Sequence, residues 1–435
     1  AGVGKDAASD VIRISQDGKA YLDLSSYMAN ASPAGGSKEI TYESNPELGI
    51  TFTKSGEDTW YDFVEDKENH TVKVNLTASD GKQREGCINV LVGEKENTTA
   101  AKLRVLQIGE DTESLIFEVR INYDDYTFKN GGVYKTNGGD LDVTIDWGDG
   151  SEPEHFVNVQ PSHKYAKAGK YTVETKGTAP SYCLTDIAGD YFTITDGIKH
   201  VNFLNIISWG KLGVTDVKNV CKTDEELESI PDDVCGTFAE ITDFTDMFVN
   251  CYSLKAIPEN LFKYAVKAKK FYETFGYAAS LKAIPENLFA NCPEATDFGL
   301  CFYGVGTGSA VLQGEGNSHA KVLKPFVSKG NRIEIPEGLF RNNTKATNFT
   351  QTFRDMNIAT VPDNVFAFNT EVSSYNGLFT GCTELETVPA DLFKNNQKVK
   401  DFKWLFYATD VKSLPVGLFK HCPAGFAIQI NQMFQ

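Results

Sequence analysis

Two carboxylates and a histidine lie close together in this 435-residue chain and are the residues best suited to chemistry. Asp146 and Asp149 belong to a segment that reads IDWGDGS, and His163 opens the later segment HKY. Such residues can act in general acid–base catalysis or bind a cation. Gly148 and Gly150 favour another interpretation, because they permit the positive φ of a tight turn whose amides the two carboxylates can cap. We therefore predict a structural turn, with a cation at Asp146 and Asp149 as the alternative.

The rest of the chain shows no pattern of catalytic residues. No G-x-S-x-G or H-E-x-x-H motif occurs, no cysteine lies in the context of a known nucleophile, and the six histidines share no metal-ligand spacing. Paired carboxylates for sugar hydrolysis leave no sequence signature, because they can meet only in space. We expect a protein that is not an enzyme and that has no cofactor and no metal.

Four residues are candidates for ligand binding. Trp60, Tyr61 and Phe63 form an aromatic cluster, and aromatic faces suit the C–H surfaces of pyranose sugars. The alternative is that this cluster is part of a hydrophobic core. His319 lies in the glycine-rich segment 304–330, which departs from the regular pattern around it. Functional residues often lie in such loops, and a tolerated insertion is the alternative.

The composition limits the class of partner. The net charge is −17 and the isoelectric point is near 4.9, which disfavours nucleic acid and anionic membrane surfaces. No run of about 18 apolar residues occurs, so no membrane span is expected. The nine cysteines include no CxxC pair, which indicates buried packing rather than a disulfide framework or a zinc site. The small, polar start without methionine predicts a chain trimmed of a targeting segment, and hence export.

The elements that position these residues are indicated by a repeat. An Ile/Val/Leu-Pro step followed by Leu-Phe or Val-Phe recurs in the C-terminal half. The prolines lie 27, 27, 51, 26, 27 and 26 residues apart, at Pro231, Pro258, Pro285, Pro336, Pro362, Pro389 and Pro415. Such a period predicts a solenoid, in which each coil buries its apolar face only against its neighbours.

One coil is predicted to contain a short strand, a proline corner and a helical turn. Each proline can be the first residue of that turn, where its missing N–H costs nothing. Asn343, Asn369 and Asn396 can end the turn in a left-handed conformation. The interval of 51 residues between Pro285 and Pro336 predicts a degenerate coil, with segment 304–330 as a loop.

Three parts of the chain resemble known families. Residues 1–110 carry PAGGS, Trp60, REGCI and a closing VLQ, and they resemble the BACON domain, a module proposed to bind carbohydrate. Residues 111–180 carry IDWGDGS, HKY and GKYTV, and they resemble the PKD domain, with Trp147 in place of the family's phenylalanine. Residues 181–435 resemble the BspA-like leucine-rich repeats of bacterial surface proteins, whose MF-x-x-C-x-x-L phrase is matched around Cys251 and in part around Cys382.

These resemblances imply a fold and a function. The expected fold is two all-β, immunoglobulin-like sandwiches followed by an α+β leucine-rich-repeat solenoid of about eight coils. The expected function is adhesion or capture of host protein or glycan by the solenoid surface, without catalysis. The alternative is a structural spacer, with any carbohydrate binding in the BACON-like domain. The implied location is the cell surface or outer membrane, as an exported lipoprotein of the Bacteroidetes type, or outside the cell.

Overall fold

The computed structural model describes residues 20–24, 28–31, 34–45, 47–94, 97–109, 111–135, 139–184, 200–307 and 332–422. Within these ranges there are seventeen β-strands and no helix. The chain divides into two compact units, with the boundary between Ile108 and Gly109.

The first unit contains two four-stranded sheets. Its strands are β1 (Leu22–Leu24), β2 (Met28–Ala31), β3 (Gly36–Ser44), β4 (Ile50–Ser55), β5 (Tyr61–Asp66), β6 (Thr71–Leu76), β7 (Arg84–Glu94) and β8 (Asn97–Gln107). One sheet has the order β1-β3-β6-β5 and the other β2-β8-β7-β4. All pairs are antiparallel except β2 with β8.

Alternation of apolar and polar residues brings the two sheets together. In β6 the side chains of Val72, Val74 and Leu76 are buried and those between them are not. They share one hydrophobic core with Ile88 of β7 and Val105 of β8, which lie in the other sheet. The two sheets therefore pack face to face.

The second unit begins with one five-stranded sheet and two small sheets. The strands of this part are β9 (Leu115–Ile121), β10 (Tyr126–Phe128), β11 (Val133–Tyr134), β12 (Asp142–Asp146), β13 (Glu154–Val157), β14 (His163–Tyr165), β15 (Gly169–Thr178), β16 (Ser181–Tyr182) and β17 (Val201–Ser208). The large sheet has the order β13-β12-β15-β9-β17, and the pairs β10-β14 and β11-β16 form two small sheets.

Strand β17 connects this sheet to the repeats. It pairs with β9, and its Asn205 forms a parallel bridge to Ser229 in the first part of the repeat region. The N–H of Ile206 donates to the carbonyl of Ser229 at 3.0 Å. The sheet core and the repeat core are consequently continuous.

The prediction of an α+β solenoid is wrong, because no described residue of the repeats is helical. The residues after Pro258 form turns in which Leu261, Lys263 and Ala265 donate to the carbonyls three residues earlier. These hydrogen bonds start at every second residue, whereas a helix needs them at consecutive residues. The proline therefore begins a chain of turns and not a helix.

The repeats instead form a stack of coils held by parallel pairing. Isolated bridges join Asp243 to Lys270, Lys270 to Asp297, Asp297 to Asn348, Asn348 to Ser374 and Ser374 to Asp401. Each bridge precedes a seven-residue stretch that we call a front segment. The front segments are 244–250, 271–277, 298–304, 349–355, 375–381 and 402–408.

Hydrogen bonds between front segments follow one rule. The N–H groups at positions one, three, five and seven donate to carbonyls of the next coil, with Phe349 as the exception. From Phe244 to Asn250 the four N–O distances are 2.9, 3.0, 2.9 and 2.8 Å, to the carbonyls of Lys270, Tyr272, Thr274 and Gly276. The ladder gives the coils a common register, because each bond joins a position to the position one earlier in the next coil.

Positions three and seven of every front segment are left-handed. Their φ angles lie between 53° and 72°, at Asp246, Asn250, Glu273, Tyr277, Leu300, Gly304, Gln351, Asp355, Gly377, Gly381, Trp404 and Ala408. Positions one, four and five are buried, whereas positions two, three, six and seven lie on the outer side. We call this outer side the front face.

Aromatic rings at positions one and five form two columns through the core. The first column is Phe244, Phe271, Phe298, Phe349, Tyr375 and Phe402, with ring centroids 5.2 to 6.1 Å apart. The second is Phe248, Phe275, Phe302, Phe353, Phe379 and Phe406, at 5.5 to 6.0 Å. A third column comes from the turns that follow the prolines, which form the side of the stack that we call the proline side. In this column Phe289 lies 5.9 Å from both Phe262 and Phe340.

The coils before and after the long interval are direct neighbours. Phe298 stacks on Phe349 at 5.4 Å, and the Phe298 N–H donates to the carbonyl of Asn348 at 2.9 Å. The degenerate coil was predicted in segment 304–330, of which residues 308–330 lie outside the described residues.

The three asparagines after the prolines connect coils. The prediction of a left-handed conformation for Asn343, Asn369 and Asn396 is wrong, because none of them has a positive φ. Each is fully buried and donates both amide hydrogens to carbonyls of the preceding coil. For Asn396 these are the carbonyls of Phe366 at 3.1 Å and Asn369 at 2.9 Å.

Phe298→Ala is expected to destabilise the protein by about 4 kcal/mol, because it leaves a cavity in the first column. The ring of Phe298 contacts Phe271, Phe349, Phe289 and Phe340. Urea denaturation followed by circular dichroism measures the change. Phe368→Ala is the control, since that ring is 49% exposed. Equal loss in the two variants would contradict the importance of the column.

Asn396→Ala is expected to cost about 2 kcal/mol, because two buried carbonyls lose their donor. The neighbouring Asn395 also donates to the preceding coil, to Ala367 at 2.9 Å, but it is exposed. Asn395→Ala should therefore cost less than about 0.5 kcal/mol. Thermal unfolding of the two variants gives the comparison, and similar melting temperatures would contradict the role assigned to the buried asparagines.

Candidate functional site

The carboxylate and histidine cluster of the IDWGDGS segment is a braced turn. Asp146 accepts a hydrogen bond from the Gly148 N–H at 3.0 Å, and Asp149 accepts one from the Ser151 N–H at 3.0 Å. Gly148 has φ 76°, and a Cβ there would meet the backbone of Thr172. The turn prediction is thus confirmed for this segment.

His163 is held on both sides by carboxylates. Its Nε2 lies 2.8 Å from Asp149 Oδ2, and its Nδ1 lies 3.3 Å from Glu154 Oε1. The ring stacks on Trp147 with centroids 5.0 Å apart, and only 9% of the side chain is exposed. With both nitrogens engaged, the ring fixes the turn and has no nitrogen available to a substrate.

Electrostatics agree with a structural role. Burial acts to raise the pKa of Asp149, but hydrogen bonds from Ser151 and His163 outweigh it, so the pKa lies below its ordinary value. In the part of the chain that the structure describes, no group of three or more His, Cys, Asp or Glu side chains could hold a metal ion.

The N-terminal aromatic cluster is divided between core and surface. Tyr61 is 1% exposed, and its hydroxyl donates to the Cys87 carbonyl at 3.0 Å. Phe63 lies on the same side of β5 and packs against the same core. Trp60 is half-buried, with the guanidinium of Arg84 5.0 Å from its ring centroid. The three rings therefore do not form one exposed platform.

His319, the fourth candidate, lies outside the described residues.

The cysteines lie in packed surroundings. Burial raises the pKa of Cys235 to about 11 and that of Cys292 to about 12. The thiols of Cys251 and Cys382 donate to carbonyls of the preceding coil at 3.1 and 3.0 Å. Thiols with raised pKa values are poor nucleophiles, so these cysteines stabilise the stack.

The front face has a composition suited to recognition. It carries aromatic residues (Tyr272, Tyr277, Tyr303, Trp404, Tyr407), glycines (Gly276, Gly299, Gly304, Gly377, Gly381) and small or uncharged polar residues (Thr245, Asn250, Thr350, Gln351, Asn376, Thr380). Tyrosine and tryptophan offer large contact areas at a low cost in conformational entropy, and Gly, Asn and Thr offer adaptable hydrogen bonding. The ladder beneath holds these side chains at fixed positions.

A polar cluster lies in the middle of the front face. The hydroxyls of Tyr277 and Tyr303 are hydrogen-bonded, and the guanidinium of Arg354 lies 5.0 Å from the ring centroid of Tyr303. Arg354 Nε is 3.3 Å from Asp355 Oδ2. Burial raises the pKa of Asp355, although Arg354 opposes the shift. The cluster is thus preorganised and close to neutral.

One further front-face carboxylate is paired with a lysine of the preceding coil. Lys222 Nζ lies 2.6 Å from Asp246 Oδ2. Burial and the nearby Asp246 raise the pKa of Glu273, which reduces its negative charge. With Lys403 as a second cation in addition to Arg354, the front face of this chain of net charge −17 is nearly neutral.

A cavity on the proline side is too small for a typical metabolite. It lies between two coils, measures about 100 Å³ and is lined by residues such as Asp363, Asp391 and Lys394. Small-molecule sites usually enclose about 300 to 1,000 Å³. A broad, open surface is the better candidate site in the described residues.

Sequence reasoning missed the front face because it counted only the apolar positions. The available signal was the phrase Asp/Asn/Ser-aromatic-x-x-x-Phe. The residue before the ring caps the amide two positions later, as when Asp297 accepts from Gly299 at 2.9 Å and Asn348 from Thr350 at 2.9 Å. With the aromatic residue of this phrase counted as position one, the outward positions are two, three, six and seven.

Comparison with protein-family models gives no match, and comparison with curated proteins gives no significant match either. The resemblances to BACON, PKD and BspA-like sequences therefore stay predictions. No helix in the described residues is long and apolar enough to cross a membrane.

Asp149→Asn is expected to lower the free energy of unfolding at pH 7 by about 1.5 kcal/mol, because a charge-assisted hydrogen bond is lost. The folded-state pKa of Asp149 is lowered. Its stabilisation is thus present above the unfolded pKa of about 3.9 and is lost as the pH falls through the folded value. The difference between wild type and variant should shrink from pH 7 to pH 3.5 in urea denaturation.

Asp363→Asn is the control for this titration, since Asp363 is exposed and far from the turn in sequence. It should change stability little at either pH. A difference for Asp149→Asn that stayed constant or grew at low pH would contradict the assignment.

Proposed function

We propose that this protein is a binding protein without catalytic activity, and that it holds a host protein or glycan on the front face. The observation that carries the proposal is the combination of five aromatic side chains, five glycines and small polar residues on one layered surface. Arginine, tyrosine and tryptophan are the residues that most often dominate binding energy.

The rigidity of the front face supports this role. Three or four hydrogen bonds join neighbouring front segments, and the ring columns lie directly beneath. A surface that is already ordered loses little conformational entropy on binding. Its flat, repeated form suits a protein or a polymer better than a small metabolite.

The absence of catalysis is part of the proposal. The carboxylate and histidine cluster of the IDWGDGS turn has both histidine nitrogens engaged, by Asp149 and Glu154. The described cysteines with raised pKa values lack a reactive thiolate. The strongly negative net charge disfavours nucleic acid as the partner.

The proposed location is the bacterial cell surface or outer membrane, as an exported lipoprotein, or the extracellular medium. This part rests on the resemblance to BspA-like and BACON sequences of Bacteroidetes. Uncharged, tyrosine-rich surfaces of this kind are typical of extracellular recognition.

A structural spacer is the second candidate function. It is favoured by ion pairs that join neighbouring coils on the outside of the stack, such as Lys345 with Glu294 at 2.6 Å and Lys398 with Glu371 at 2.6 Å. These residues reinforce the stack and leave few charges for a partner.

The full chain should bind purified extracellular-matrix proteins or glycans on an array, and Thr245→Lys with Thr350→Lys should weaken that binding at least about tenfold, or 1.4 kcal/mol. The two long cations would obstruct the front face. Thr344→Lys with Thr370→Lys places the same charges at exposed positions on the proline side and should leave binding unchanged. Binding that both double variants retain would exclude the front face, and a wild type that binds neither array would favour the spacer.

A further inference from the structure

We propose that the C-terminal end of the described front face binds a neutral sugar ring, between an aromatic pair on one coil and a polar triad two coils before it. The aromatic pair is Trp404 and Tyr407, and the polar triad is Gln351, Arg354 and Asp355. This inference rests on the proposed function and names the chemistry of the ligand.

A coil with two glycines separates the pair from the triad. Asp355 donates its N–H to Thr380 at 2.7 Å, and Gly381 donates its N–H to Tyr407 at 2.8 Å, so the three coils follow one another directly. At the outward positions of the middle coil, Gly377 and Gly381 have no side chains. A Cβ on Gly377 would lie 2.9 Å from Cγ of Gln351, and one on Gly381 would collide with the Asp355 carboxylate. Gln351 and Asp355 therefore extend over the glycines, toward the aromatic pair, whereas the Arg354 guanidinium lies over Tyr303 of the preceding coil.

The aromatic pair is exposed and firmly held. Trp404 is 44% exposed and Tyr407 is 40% exposed. One turn joins them, with the Tyr407 N–H donating to the Trp404 carbonyl at 3.1 Å, and that carbonyl also accepts from the Thr380 hydroxyl at 2.7 Å.

Trp404 also has a strained backbone. Its φ is 54°, the left-handed conformation that position three has in every coil; the other residues there are Asp246, Glu273, Leu300, Gln351 and Gly377. Bulky residues are uncommon in this conformation, and such strain costs on the order of 1 to 3 kcal/mol. A bulky tryptophan gains nothing from this backbone, so its presence fits a role in binding.

The polar triad can hydrogen-bond vicinal hydroxyls. Gln351 Oε1 accepts from Arg354 Nη1 at 2.9 Å, which leaves the Gln351 amide hydrogens as donors. Arg354 Nε lies 3.3 Å from Asp355 Oδ2, and Tyr303 also hydrogen-bonds the Asp355 carboxylate. A carboxylate has about four lone-pair sites, so Asp355 can still accept a further hydrogen bond. Donors and an acceptor side by side match two neighbouring sugar hydroxyls, each of which donates and accepts.

The charge balance of the triad favours a neutral sugar. Arg354 and Asp355 neutralise each other, so the triad would give a uronate or sulfate no net attraction, and either anion would meet the Asp355 carboxylate. The apolar C–H face of a neutral pyranose can lie against Trp404 and Tyr407. Its hydroxyls would then point to the triad.

Affinity electrophoresis of the full chain through gels that contain soluble polysaccharides tests this inference. The neutral probes are galactomannan, xyloglucan, mannan and mixed-linkage β-glucan, and the acidic probes are polygalacturonate and chondroitin sulfate. At least one neutral polysaccharide should retard the wild type, and Trp404→Ala should raise its apparent Kd at least about tenfold. Trp404→Phe should retain binding, because it keeps an aromatic face.

Phe368→Ala is the matched control, since it removes an aromatic residue of similar exposure, 49%, from the proline side. Its apparent Kd should equal that of wild type. Tyr407→Ala provides a second variant, so that misfolding of one variant does not decide the outcome. Equal effects of Trp404→Ala and Phe368→Ala would overturn the inference.

Retardation by acidic polysaccharides alone, or by no polysaccharide, would also overturn it. The proposed function would still stand if the array of matrix proteins showed binding that the front-face lysine substitutions weaken. The two proposals can therefore fail separately.

Discussion

The fold of the repeats depends on one constraint, which is that rings and backbone must keep the same interval from coil to coil. Rings in the first two columns lie 5.2 to 6.1 Å apart, and the ladder beside them joins positions one, three, five and seven of each front segment. Neither set of contacts exists within a single coil. A coil thus gains its stability from its neighbours, as expected for a stacked array.

The same constraint creates the surface. Left-handed residues at positions three and seven turn the backbone so that side chains leave it in pairs, inward and then outward. The inward pairs form the core, whereas the outward positions contribute less to it and vary more in residue type. Tyrosines, glycines and Trp404 occur at these positions, which is why recognition can be largely separated from folding in this molecule.

The sequence predicted the large buried residues well, because Phe244, Phe271 and their equivalents recur with the prolines and all are buried. It failed for the local conformation. A proline followed by acidic residues is compatible with a helix, and only the spacing of hydrogen bonds in the turns after Pro258 distinguishes the two. The IDWGDGS turn was predictable because glycine and aspartate act locally. Tyr61 and Phe63 were ambiguous, since an aromatic residue in a strand looks the same from either side of the sheet.

The direct contact between Phe298 and Phe349 shows what the stack requires of the chain. Coils that are 51 residues apart pair as closely as coils that are 27 apart, so neighbours recognise each other by shape and not by distance along the sequence. The described residues on both sides of the long interval keep the order of layers, since Gly306 donates to Ala278 and Ile333 donates to Asn357. The number of residues between two neighbouring coils is therefore free to change in evolution while the coils keep their register.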